Sequence, residues 1–413
     1  MRKLIRNIGE LATPFGRCAW GGADQRRRVE RYKNAWLLIE DGKVLSLGTG
    51  DPGGIARVPG TEILDAGGLL VTPGLVDAHT HLIFGGYRQN ELALKLQGVS
   101  YLEILARGGG ILSTVSATRR ASSEELFEKA RKDLDEMLKH GVTTVEIKSG
   151  YGLDRETELR QLKDIKKLRE ELPLDLVSTY LGAHALPPEY KDNREGYISL
   201  MCEEIIPEIA REGLAEFCDV FCETGVFTAE ETRRILEAGK KYGLRPKIHA
   251  DEIDAIGGSE LSKEVGAVSC EHLIRCRKSG IQAMKEAGTV ACLLPATSFY
   301  LGADYAPARE MIEAGVPVAM ATDYNPGSCP SLNLQFVMNL GCLKYRLTPE
   351  EALTAVTLNA AAAIGYADRL GSLEPGKQAD FVLWDAPDLE YIFYRMGSNL
   401  VKTVMKKGES VSV

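Results

Sequence analysis

The sequence predicts an α/β protein: a (β/α)8, TIM-like barrel accompanied by a small β-sandwich that the two ends of the chain build together. Three observations carry this. Eight short apolar, β-branched runs recur through the middle of the chain, separated by longer charged stretches of helical spacing, the alternation of a parallel sheet. Both ends read instead as short alternating strands around glycine turns. Five of the six histidines fall where the apolar runs end, on the rim where barrel enzymes carry their reactive groups.

Taken in order, residues 35–48 (AWLLIEDGKVLSLG) alternate apolar and polar positions about Asp41-Gly42, which predicts a hairpin. The first barrel run is Leu70 to His81. The others are Thr143 to Lys148, Leu176 to His184, Cys218 to Glu223, Pro246 to Asp251, Ala267 to His272, Val290 to Pro295 and Val316 to Asp323. Amphipathic segments between them, such as Glu124 to His140, Glu156 to Leu172 and Ala229 to Tyr242, supply the helices. A turn-rich stretch, Gly371 to Lys377, then leads into strands over Asp380 to Asp385 and Val401 to Val411. Neither end can bury a strand face alone. Residues 1–65 and 370–413 are therefore expected to form one composite β-sandwich, with the barrel, 66–369, inserted between its halves.

Composition narrows the function. The 413 residues carry 50 Lys+Arg against 58 Asp+Glu, a net charge of −8, the wrong sign for a nucleic-acid surface. The run Arg26-Arg27-Arg28 with Arg31 and Lys33 reads as a solvated loop. Hydrophobic residues at 44% predict a sizeable core, and no apolar run is long enough for a membrane span. Nine cysteines, an odd number without a CxxC pair, fit free thiols in a reducing compartment; with no apolar leader after Met1, a cytoplasmic protein is expected.

The strand ends carry the chemistry. In order they are His79-Thr80-His81, Lys148, His184, Glu223, His249, His272 and, on the eighth, Asp323. Residues i and i+2 of a strand point the same way, so His79 and His81 can present two imidazoles to one ion, and His249 and Asp323 would complete the set. Three nitrogens and a carboxylate suit zinc, iron or manganese, with a position kept for water. A bound divalent ion lowers the pKa of that water to about 7.

The run Pro73-Gly74-Leu75-Val76-Asp77-Ala78-His79-Thr80-His81 resembles the signature of the amidohydrolase superfamily, whose members carry a metal on such a barrel beside a terminal β-sandwich. The resemblance extends through Gly109 to Val115, Glu146 to Leu153, Leu181 to Ala185, Asp219 to Glu223 and Thr322 to Ser328, and is greatest toward the members that open the ring of 4-imidazolone-5-propanoate to N-formimino-L-glutamate. It implies His79, His81, His249 and Asp323 as ligands of one zinc or iron ion per subunit. It implies Arg88, Tyr151, His184, Glu252, Asn325, Gly327 and Ser328 as substrate contacts, and a homodimer. On that footing the activated water attacks the ring carbonyl carbon, Asp323 takes its proton, and His272 with His184 stabilises the oxyanion; Glu252 accepts a ring N–H or returns a proton to the leaving nitrogen. Arg88 can hold the propanoate carboxylate by paired charge-assisted hydrogen bonds.

Binuclear members bridge their metals with a carboxylated lysine after the fourth strand. Here that strand ends in Glu223, and Lys148 follows the second, so one metal is expected. Glu223 is left as either a structural carboxylate or a second-metal ligand. Departures from the family pattern are Ala78, Gly85, Tyr87 and Glu271; Tyr87, beside Arg88, is the one that bears on specificity. Gly108-Gly109-Gly110 follows no strand and is read as a connection rather than a phosphate loop. Cys218 and Cys222 are read as buried apolar groups. Ser113, Ser149 and Ser328 lack a nucleophile-elbow context. The alternatives are another amidohydrolase, such as a heterocyclic base deaminase or cyclic amidase, and, remotely, a non-catalytic barrel without metal.

Overall fold

The computed structural model describes residues 2–99, 103 and 108–411. The chain opens with β1 (Arg2–Pro14), β2 (Val29–Glu40), β3 (Lys43–Thr49) and β4 (Thr61–Asp65), followed by β5 (Leu70–Pro73). The barrel strands are β6 (Leu75–Asp77), β7 (Val142–Lys148), β8 (Asp175–Ala183), β9 (Phe217–Cys222), β10 (Arg245–Ala250), β11 (Ser269–His272), β12 (Val290–Leu293) and β13 (Val318–Met320). The chain closes with β14 (Phe381–Trp384), β15 (Val401–Lys406) and β16 (Glu409–Val411).

The terminal strands hydrogen-bond in the order β16-β15-β14-β5-β1-β2-β3, with β4 parallel to β1. This sheet encloses a core of its own, in which Ile5, Leu11, Leu37, Val71, Phe381 and Met405 are buried together. The β2–β3 turn is made by Asp41 and Gly42 at φ 49° and 76°, both in the left-handed region that a two-residue hairpin turn demands.

One expected strand divides in two. Leu70 to His81 breaks at Gly74: β5 belongs to the terminal sheet, pairing with β14 and β1, and β6 starts the barrel. The chain passes so close to the barrel there that a Cβ on Gly74 would lie 2.3 Å from Thr143 Oγ1. Both halves are buried on both faces, which makes them one apolar run in the sequence.

Strands β6 to β13 lie side by side and parallel in chain order. The seam between first and last closes at the C-terminal rim. Thr80 bridges Tyr324, Asp323 N donates to His79 O at 3.0 Å, and His81 N donates to Tyr324 O at 2.9 Å. Below this, the Thr322 backbone N–H and hydroxyl donate to Asp77 at 3.0 and 2.6 Å. The surrounding helices start at designed stops: Ser122 with Glu125, Thr228 with Glu231 and Thr348 with Glu351 form capping boxes.

Smaller expectations resolve in the same way. The basic run is not a loop: Asp24–Arg27 is a short helix, and Arg31 and Lys33 sit on β2 paired with Glu10. Gly110 N donates to Glu91 Oε1 at 2.7 Å where a helix begins, so the glycine run is a helix entry. All nine cysteines are free, with Cys218 and Cys222 buried. Among the described residues no helix is long and apolar enough to cross a membrane.

Candidate metal centre and substrate site

Each rim residue stands where a strand gives way to its loop. Lys148 and His272 end β7 and β11, His249 is the penultimate residue of β10, and His184, Glu223 and Glu252 follow β8, β9 and β10. His79 and His81 extend the line of β6 across the seam. Asp251, His272, Leu273 and Asp323 hold positive φ, between 54° and 69°. Non-glycine residues in the left-handed region are strained and persist only where the surroundings impose them, commonly at functional sites.

Four of these side chains converge. Nε2 of His79 and Nε2 of His81 are each 3.5 Å from Asp323 Oδ1, and His249 Nε2 is 3.3 Å from His81 Nε2. A tetrahedral ion with ligands at about 2.1 Å has ligand-to-ligand edges of about 3.4 Å, which the spacing of His79, His81 and Asp323 fits; His249 lies with His79 and His272 in a second, overlapping group whose ligand atoms are within 4.8 Å of one another. Both ring nitrogens of His79 are buried without a hydrogen-bond partner among the described residues, an arrangement costly for a polar group unless something else satisfies it. Burial drives the pKa of His79, His81 and His249 well below the usual histidine value, and the Lys148 ammonium adds to this. The imidazoles are thus neutral, the form that ligates. Asp323 Oδ2 accepts the Thr297 hydroxyl at 2.6 Å, leaving Oδ1 toward the histidines; burial raises this carboxyl to about 6. His272 also lies near, with its ring centroid 5.2 Å from that of His249.

His184 stacks on His81 with ring centroids 4.7 Å apart. Its Nδ1 lies 3.0 Å from the Gly150 carbonyl, an acceptor only, so Nδ1 carries the proton. Burial lowers its pKa to about 4. His184 therefore presents an unprotonated Nε2, an acceptor rather than the oxyanion donor that the sequence led one to expect. Tyr151, 2% exposed, packs beside this stack, its ring tilted against both His184 and His81.

Glu252 Oε1 is 3.6 Å from His272 Nδ1. Burial, and secondarily the charge of Glu223, raises its carboxyl to about 7. Glu223 itself accepts the backbone N–H groups of Thr224, Ile253 and Asp254 at 2.7 to 3.0 Å. Both its oxygens are engaged in holding the loop that carries Glu252, which favours the structural reading of Glu223 over the metal one.

The turn after β13 is built by Asn325. Its Nδ2 donates to Asp323 O and Ser328 Oγ at 2.7 and 2.8 Å, and its Oδ1 accepts from the Gly327 and Ser328 backbones at 2.8 and 2.7 Å. An asparagine amide has two donors and two acceptor sites, all used here inside the turn. The turn presents Gly327 to Arg88. A Cβ on Gly327 would fall 1.4 Å from Arg88 Nη2, so the guanidinium occupies the space of the missing side chain. Arg88 Nε is buried with no hydrogen-bond partner among the described residues. Lys95 Nζ donates to Gly327 O at 2.8 Å. Tyr87 is half-exposed and packs edge-on against Phe84, its hydroxyl 3.5 Å from that of Tyr324.

Sequence reasoning missed what lies beneath the histidines. Glu146, Asp219, Lys247 and Glu271 join Lys148 in a fully buried charged layer. The available signal was a charged residue inside an otherwise apolar strand, as with Asp219 in FCDVFC. Thr297 and Lys95 were missed as well, and nothing local marks them.

Residues 70–411 match the amidohydrolase family. The chain is 50% identical over 410 residues to the imidazolonepropionase of Alkaliphilus metalliredigens, covering 99% of this chain and 97% of that protein. It is 52% identical over 411 residues to that of Streptococcus gordonii, with the same coverage. Among solved structures, guanine deaminase of E. coli superposes with a TM-score of 0.75 at 16% identity, covering 100% of this chain and 99% of that one. A zinc complex of atrazine chlorohydrolase from Arthrobacter aurescens gives 0.71 at 20% identity, covering 99% and 94%. These structures share the fold.

Proposed function

The chain belongs to the amidohydrolase family, and on that premise we propose that it hydrolyses the ring C–N bond of 4-imidazolone-5-propanoate to N-formimino-L-glutamate, the reaction of histidine degradation implied by its imidazolonepropionase relatives. The observation that carries the reading is Arg88. It is a cation whose buried Nε has no partner among the described residues, seated on Gly327, and a propanoate carboxylate is its natural complement. A neutral heterocyclic base, the substrate of a deaminase, offers it no charge to pair with.

His79, His81, His249 and Asp323 would hold a single ion, zinc or iron. When bound, the ion supplies Lewis acidity and brings the ionisation of water near neutrality. Two buried lysines support a single ion. Asp219, His249 and Glu271 also approach one another as a ligand group, but Lys148 and Lys247 already neutralise its carboxylates at 2.8 and 3.0 Å.

The chain's own groups divide the remaining work. Arg88 binds the carboxylate, and Tyr151 with His184 flanks the planar ring, His184 Nε2 accepting a ring N–H. Asp323 accepts the proton of the attacking water. His272 donates to the carbonyl oxygen as it gains charge. Glu252, on the loop held by Glu223, carries a proton to the leaving nitrogen. Asn325 builds the turn that carries Gly327 and Ser328. A cytoplasmic location, consistent with nine free thiols, and a homodimer belong to the same reading.

The test is product identity. Zinc-loaded protein incubated with 4-imidazolone-5-propanoate and, separately, with guanine is followed by mass spectrometry and an ammonia assay. Ring opening adds one water and releases no ammonia; ammonia release from guanine, with the imidazolone untouched, overturns the proposal.

A further inference from the structure

The charged layer beneath the histidines takes no part in the reaction as described. Lys148 donates to Glu146 Oε1 and Asp219 Oδ2, both at 2.8 Å, and Glu146 also accepts the Thr179 hydroxyl. Lys247 lies 3.0 Å from Glu271 Oε1 and donates to Ser269 Oγ and Ala363 O at 2.7 and 3.1 Å. None of the five charged side chains has exposed surface. Burial opposes the charge on Lys148, but Asp219, Glu146 and Glu271 outweigh it and hold its pKa above the ordinary lysine value. Burial raises the Glu146 carboxyl as well, so the close pairs of opposite charge are Lys148 with Asp219 and Lys247 with Glu271. Apolar side chains would fill the same volume without the desolvation cost of buried ions. The charge must therefore answer something else.

Asp219 is where the layer meets the candidate metal centre. Its Oδ1 accepts the backbone N–H of His249 at 3.2 Å. Its Oδ2 lies 2.9 Å from His249 Nδ1, off the ring N–H axis. We propose that Asp219, anchored by Lys148, is the positioning residue of His249 and the electrostatic counterpart of the ion. Its charge keeps the imidazole proton on Nδ1, which leaves the Nε2 lone pair, 3.3 Å from His81 Nε2, directed at the ion. The Asp219 carboxylate, 2.9 Å from His249 Nδ1, would also offset the charge of a cation held there. This rests on the metal reading of the centre.

The experiment compares wild type with Asp219→Asn, which preserves shape and removes the charge. Removing one partner of a buried pair is destabilising, so Lys148→Met/Asp219→Asn/Glu146→Gln, which removes the ammonium together with both carboxylates it bridges, is prepared beside it. Zinc affinity is measured by chelator competition, the ligand field by visible absorption of the cobalt(II) proteins, and stability by thermal unfolding of the metal-free proteins. The expected result is a zinc affinity about 10- to 100-fold weaker and an altered cobalt spectrum in whichever variants fold. Folded variants with wild-type affinity and spectrum overturn the proposal, even if their metal-free forms are less stable. Wild-type protein that binds no zinc overturns the metal reading as well.

Discussion

Replacing Gly327 with alanine tests how the turn and Arg88 work together. The backbone at this residue is not in the left-handed region, so alanine introduces no strain of its own. The added methyl would stand 1.4 Å from Arg88 Nη2 and 2.0 Å from Cζ, and the guanidinium must swing away. A long, flexible, half-buried side chain can do so at little cost to the fold. What is lost is its charge-assisted grip on the substrate carboxylate, worth about 1.5 to 3 kcal/mol. At 1.36 kcal/mol per tenfold in rate, kcat/KM falls by about 10- to 150-fold. The assay is steady-state consumption of 4-imidazolone-5-propanoate by Gly327→Ala, Arg88→Ala and the double variant, with thermal unfolding alongside. Because both single changes remove one interaction, the double variant should be little worse than either. Wild-type kcat/KM in Gly327→Ala, or fully additive losses, would refute the reasoning.

Further outcomes follow from the site and the seam. Burial and Glu223 raise Glu252 to about 7 from an ordinary 4.5, so the native protein keeps a proton that the unfolded chain releases. Stability of the metal-free protein should decline as pH rises from about 4.5 to 7, and Glu252→Gln should gain up to about 3 kcal/mol at pH 8, with no such gain at pH 4; equal gains at both pH values in thermal unfolding would count against it. Asp77→Ala leaves the Thr322 N–H and hydroxyl unpaired in the barrel seam and should cost about 2 to 4 kcal/mol in urea unfolding; a loss below 0.5 kcal/mol would show that the seam does not depend on them. Asp323→Ala should lose bound metal and at least about 10²-fold in turnover, measured by metal analysis and initial rates.

What could be read from the chain was whatever is local. Barrel strands end in polar residues because the apolar run stops where the rim begins, so His79, His81, His184, His249, His272 and Asp323 were visible as a set. The division of Leu70 to His81 at Gly74 was not, because both halves are buried on both faces and read alike. Asn325 was expected as a substrate contact within a turn sequence, and that it builds the turn after β13 is told only by where its four hydrogen bonds go. The proton on His184 is decided by the Gly150 carbonyl, a partner 34 residues away. Asp219 was hidden for a related reason: a lone aspartate in an apolar strand is equally compatible with a position facing solvent until the inside of the barrel is known. The meeting of Arg88 with Gly327 joins loops from opposite ends of the barrel's sequence, and nothing local announces it.

The most direct test of the account is the ultraviolet disappearance of freshly prepared 4-imidazolone-5-propanoate with zinc-loaded protein, measured against an Asp323→Ala control that subtracts spontaneous decay. The account predicts rapid loss in the wild type, no loss above background in the control, and N-formimino-L-glutamate as product. Metal-loaded wild-type protein that consumes the substrate no faster than the control would contradict it.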